Sequence, residues 1–168
     1  MNKLIPVVLL VLLTSHSFCQ LSTKNNYPQI KGYASIVHPI VTFDKDKTSF
    51  NFDGSYTVGF PFGINILKSD RIGFSFELTP IIKVDSVTDK MSSLLFHPGV
   101  IFRFPHNFTF TQRLAFETNG RYGLTMVFNK VVIVRPNAKY FIASPIPIRF
   151  GNDKPASLGI GIQLGVVF

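Results

Sequence analysis

From Phe50 to Ile66 the chain alternates without a break in period. The even positions carry Phe50, Phe52, Gly54, Tyr56, Val58, Phe60, Phe62, Ile64 and Ile66, and the odd positions between them are Asn, Asp, Ser, Thr, Gly, Pro, Gly and Asn. Successive side chains of a strand point to opposite faces, so this pattern predicts a strand with one greasy face and one small, polar face. The scheme recurs. Ile72, Phe74, Phe76, Leu78, Pro80, Ile82 and Val84 share a face, as do Leu94, Phe96, Pro98, Val100, Phe102 and Phe104. Phe108, Phe110, Gln112, Leu114 and Phe116 follow, and Leu158, Ile160, Ile162, Leu164, Val166 and Phe168 close the chain. Eight strands are predicted, at about 29–42, 49–66, 71–84, 92–104, 107–118, 122–134, 139–150 and 157–168. Each connection is short enough for an antiparallel hairpin, and no linker or repeat marks a second domain.

An even number of antiparallel neighbours closes into an up-and-down barrel, which removes both exposed edges. Proline cannot donate to a ladder, so Pro61, Pro80, Pro98, Pro145 and Pro147 must sit at bulges, strand ends or rims. Irregular backbone is expected at Phe60–Gly63 and Ser144–Pro147.

The N-terminus lies outside this scheme. Met1-Asn2-Lys3 is basic, Leu4–Leu13 is apolar and Thr14–Cys19 is small and polar, the layout of a secretory signal peptide. Residues 1–19 are therefore expected to be cleaved before Gln20, leaving 20–168 as the barrel. Cys19 is the single cysteine, so the mature chain holds no disulfide and no cysteine-ligated metal or nucleophile. Loss of Lys3 leaves 16 basic against 9 acidic residues, a net charge of +7. No basic stripe interleaved with stacking aromatics accompanies this charge, which excludes single-strand nucleic-acid binding of that type. Eighteen Phe without a Trp, all but Phe18 in the mature chain, are more than a core of this size easily hides.

Alternation alone does not say which face points inward. Three features turn the greasy face outward. Gly59, Gly63, Gly73, Gly99, Gly159, Gly161 and Gly165 lie on the opposite face, where small residues relieve crowding in a narrow lumen. Asp53, Glu77, Lys83, Arg103, Arg113, Glu117 and Arg149 share that face and carry both signs, so they can pair across it. The aromatics form two rims, with Phe104, Phe108, Tyr140 and Phe168 at one end and Phe43, Phe50, Phe116, Tyr122 and Phe150 at the other. Two aromatic girdles around an aliphatic band suit a lipid-exposed barrel. The fold class expected is thus all-β, an eight-stranded antiparallel up-and-down transmembrane β-barrel behind a cleaved signal peptide.

The last strand, LGIGIQLGVVF, places Leu164, Val166 and Phe168 on one face and stops on the aromatic ring. It looks like the terminal insertion signal of bacterial outer-membrane barrels, with Gln163 where the common form carries glycine. In pattern and length the chain resembles the OmpA- and OmpX-like group of small eight-stranded outer-membrane barrels and related porin-like domains. That resemblance implies an outer-membrane location with both termini periplasmic. It also implies two partners, outer-membrane lipids and the barrel-assembly machinery during biogenesis. It carries over no catalytic, cofactor or metal residue.

Candidate chemistry is confined to the small face. Asp53 falls near Lys83, and Glu77 falls at the height of Gly99 and Arg113, where the glycine leaves room for the pair to meet. These lumen charges read either as a structural neutralising pair or as a gate. His38, His97 and His106 raise a lipid-hydrolase reading, but no serine stands in a nucleophile motif. The inner turns are lopsided, with Lys68, Arg71, Arg103, Arg135 and Lys139 against Asp70, which suggests a rim anchored on lipid phosphates. The functional expectation is a structural or surface outer-membrane barrel with a polar, plugged lumen and no cofactor. The alternatives are a narrow pore for ions or small solutes, a membrane-embedded lipid-modifying enzyme, and a soluble lipocalin-like binder.

Overall fold

The computed structural model describes residues 26–85, 89–152 and 154–168. The signal segment 1–19, and residues 86–88 of an expected connection, lie outside the described residues. Among the described residues ten strands follow one another: β1 (Gln29–Asp44), β2 (Thr48–Phe50), β3 (Ser55–Gly59), β4 (Phe62–Leu67), β5 (Ile72–Asp85), β6 (Asp89–Phe104), β7 (Phe108–Glu117), β8 (Tyr122–Val134), β9 (Lys139–Phe150) and β10 (Ser157–Val167). All pairings are antiparallel between neighbours. β10 pairs back onto β1, from Tyr33 opposite Val167 to Asp44 opposite Ser157, so the sheet is a closed barrel. Beyond β10, Phe168 exchanges both backbone hydrogen bonds with Gly32 at 2.9 and 3.1 Å. Because β2, β3 and β4 together form one interrupted stave, the wall has eight staves.

That interruption corrects the expectation of one strand over 49–66. Between Phe50 and Ser55 the chain loops out, with Phe52 and Gly54 in the left-handed region at φ of 80° and 74°. Asp53-Gly54 supplies the turn chemistry. The Asn51 carboxamide takes the place of a neighbouring backbone, donating to the Thr57 carbonyl at 2.9 Å and accepting from the Thr57 amide at 2.7 Å. Phe52 is 71 % exposed and stacks on Tyr56 with ring centroids 5.0 Å apart. The second break, at Phe60-Pro61, falls where the missing proline N–H is expected to disturb the ladder.

Each remaining proline also faces an opening. Pro39 borders a bulge in β1, and Pro80 is followed by one between Ile81 and Ile82. The β6–β7 ladder skips Pro98, and the β9–β10 ladder skips Ser144–Pro147. On its other side, β9 keeps unbroken register with β8 through both prolines, so the irregularity expected there is one-sided.

The apolar face is outside. Phe74, Phe76, Phe102, Phe116, Leu124, Ile142, Ile162 and Leu164 are all exposed, whereas Ser75, Glu77, Thr79, His97, Arg113 and Gln163 are buried. Phe104 pairs with Phe108 at one end of the wall. At the other end Phe116, Tyr122 and Phe150 stand side by side across three strands. Inside, a small apolar patch of Tyr33, Val127, Phe141 and Ala143 packs beside the polar side chains.

Candidate functional site

Halfway along the lumen a belt of hydrogen-bonded side chains crosses from wall to wall. Strand alternation puts Glu77 of β5, His97 of β6, Arg113 of β7, Thr125 of β8, Arg149 of β9 and Tyr33 of β1 on the inner face. Glu77 is the hub. Its carboxylate accepts from Tyr33 Oη at 2.8 Å, His97 Nδ1 at 2.9 Å, Arg113 Nη1 at 3.1 Å and Thr79 Oγ1 at 3.3 Å. Arg113 Nη2 also donates to Tyr33 Oη at 3.1 Å and Ser75 Oγ at 3.2 Å.

Two glycines make room for this crossing. A Cβ on Gly99 would lie 2.6 Å from Arg113 Cγ, and one on Gly63 would lie 2.9 Å from Tyr33 Oη.

From His97 the network continues outward. Its Nε2 lies 3.0 Å from Thr125 Oγ1 and 3.2 Å from Arg149 Nη2, and Arg149 Nε donates to Glu117 Oε1 at 2.8 Å. A guanidinium can only donate, so Nε2 accepts and the neutral ring carries its proton on Nδ1, facing Glu77. Two guanidiniums, two carboxylates and one neutral imidazole then sum to zero charge. Buried ions persist only when paired and hydrogen-bonded in this way.

Glu77, His97 and Thr125 have the spacing of an acid–imidazole–hydroxyl relay. Acyl transfer through such a relay requires Nε2 to take a proton. Arg149 already places a cation against that nitrogen, which opposes a second positive charge there.

The structure brings Glu77 and Arg113 together but not Asp53 and Lys83. Lys83 stands opposite Thr57, and its ammonium lies 3.8 Å from Asp85 on its own strand. Asp53 rides on the looped-out segment, exposed. The expected partnership fails because β3 and β4 keep one register with β5, which sets Lys83 opposite Thr57, and because residues 51–54 then leave the wall and carry Asp53 away. Leu164, Val166 and Phe168 lie on the outer face of β10, with Leu164 and Phe168 exposed. His106 is exposed in a turn, whereas His38 faces outward and bonds Tyr56 Oη through Nδ1 at 2.8 Å.

Alternation puts His97, Arg149, Tyr33 and Gln163 on the inner face but does not show that they bond one another, and Thr125 carries no signal of its own. Tyr33 breaks the small-residue rule of the inner face. A large polar side chain on a face of glycines and serines is the signal that could have found it.

The belt divides the lumen into two cavities. One, of about 270 Å³, is walled by Val37, Pro39, Pro145, Pro147, Gly159 and Gly161 and has His97 and Thr125 among its lining. The other, of about 490 Å³, opens at the end carrying the turns 68–71, 105–107 and 135–138. Arg103, Arg135 and Lys139 of the lopsided turns line this second cavity.

No protein-family model matches the chain, and no curated protein matches it. Among solved structures it is similar to a de novo designed transmembrane β-barrel, at 11 % identity over 85 % of this chain and 97 % of that one, with a TM-score of 0.47. A second design, TMB2.3, gives 10 % identity over 86 % and 96 % with a TM-score of 0.44. The outer membrane protein OprG from Pseudomonas aeruginosa gives 10 % identity over 81 % and 93 % with a TM-score of 0.33.

Proposed function

We propose that this protein is a small outer-membrane β-barrel of a Gram-negative envelope, with a structural or surface role and a lumen sealed against ion flow. The observation that carries the seal is the buried, charge-neutral belt from Arg113 through Glu77, His97 and Arg149 to Glu117. The exterior supports the membrane assignment. A continuous outward surface of Phe, Ile and Leu between two aromatic rims is what hydrocarbon solvates and water does not. A soluble lipocalin-like barrel has the reverse arrangement. In this reading both termini and the turns at 68–71, 105–107 and 135–138 face the periplasm. The assembly machinery reads the outer face of β10 through Leu164, Val166 and Phe168. The chemistry assigned to the lumen is support, with no catalytic step.

Two measurements test the reading. Cell fractionation with heat-dependent gel mobility should place a compact, detergent-requiring barrel in the outer membrane; recovery in the soluble fraction would reject the location. Planar bilayers holding the purified barrel should stay silent, and well-resolved single-channel steps would reject the seal. One observation favours the pore as second reading: Arg113, Val127 and Gln163 border both cavities, so a single layer of side chains separates them. Steps that appear in wild type and grow on Glu77→Gln would support that reading.

A further inference from the structure

The 490 Å³ cavity falls within the volume range of small-ligand sites, about 300–1,000 Å³. Its charge is one-sided. Lys31 of β1, Arg103 of β6, Arg135 in the turn after β8 and Lys139 at the start of β9 line it, while Asp70 is the one acidic side chain among the described lining residues. Arg103 is held in position, with Nη1 donating to the Ser69 carbonyl at 3.1 Å and to Tyr27 Oη at 3.2 Å. Tyr27 in turn donates its hydroxyl proton to Asp70, which ties that carboxylate to the wall. Four cations from four parts of the wall thus gather around one opening, a concentration of positive charge that suits an anion.

We propose that this vestibule is a binding site for a small phosphate-bearing polar solute. The phosphate oxygens accept from the lysine ammoniums and the arginine forks, contacts that are stronger when both partners are charged. The cavity is reached along the barrel axis, inside the ring of strands, so its occupant arrives from water and not from the apolar exterior. Binding needs only the closed barrel and does not depend on whether the belt conducts.

The test is calorimetric titration of the refolded barrel, in a zwitterionic detergent, with inorganic phosphate, glucose 6-phosphate and glucose. Both phosphates should bind and glucose should not. Replacing Arg135 and Lys139 together by alanine removes two exposed cations and should weaken both phosphates roughly tenfold or more. Lys154→Ala, at the opposite end, should leave them unchanged. No binding to wild type overturns the proposal. So does equal affinity in the double variant, equal loss in Lys154→Ala, or glucose binding as tightly as its phosphate. Refolding is checked by the gel shift of unheated samples. Should the double variant not refold, Lys139→Gln alone makes the same comparison.

Discussion

Glu77 holds four side chains to one carboxylate, so its charge is the residue-scale feature with the largest expected effect. Glu77→Gln leaves the Arg113 guanidinium buried with no counter-ion and should cost about 3–5 kcal/mol in reversible unfolding by denaturant. Tyr33→Phe keeps that ion pair and removes a hydroxyl that bonds both partners. It should cost less, about 1–3 kcal/mol in the same titration. A Gly99→Val variant puts carbon where Arg113 runs and should behave more like the first than the second. The Glu77–Arg113 contact was legible because alternation fixes the face, but the expected height was off by two residues: Glu77 stands opposite His97 and Gly99 opposite Ser75, and the long Arg113 side chain spans the difference. Tyr33 is set by ladder register too, because it and Glu77 both stand opposite Gly63 on the stave between them, and the glycine lets its hydroxyl pass. Arg149 was not legible as a partner of His97, because it reaches that ring from three staves away, where distance depends on the shear of the closed wall.

At the scale of elements, period two located every stave and missed only where it was satisfied by accident. Phe52 occupies an apolar position in the pattern, yet Asn51 binds both backbone groups of Thr57 and ejects residues 51–54 from the wall. The signal was present in Asp53-Gly54, a turn pair embedded in a strand. Asn51→Leu removes that clamp and should destabilise the barrel by about 1–3 kcal/mol, read from the denaturation midpoint. Phe50→Leu, one residue earlier and outward, should be nearly silent. The prolines were legible as trouble but not as geometry, because sequence does not say which of two neighbouring ladders loses its donor. β10 offers the sharpest external contrast. Ile162→Arg places a charge midway along its outward face and should cost about 2–4 kcal/mol in lipid vesicles. Gln163→Asn, its inward neighbour, tests only the bond to Ser35 Oγ at 2.8 Å.

For the whole molecule, the inside-out distribution of apolar groups is the property that decides location. A tryptophan replacing Ile162 in vesicles with bromine at mid-chain should be strongly quenched, and one replacing Phe150 at the rim much less. Equal quenching at both would contradict an apolar band bounded by aromatic rims. The in-or-out choice was readable from the glycines and paired charges of the polar face. The division of the lumen into two unlike halves was not, since it depends on which ends of eight strands gather around one opening. The seam between β1 and β10 has one more implication, and it concerns time. Ser35 and Gln163, bonded across it, are 128 positions apart in the chain. No ring can form until the last dozen residues have left the ribosome, so every earlier hairpin waits with raw edges. Closure is therefore one late act, in which the youngest strand meets the oldest.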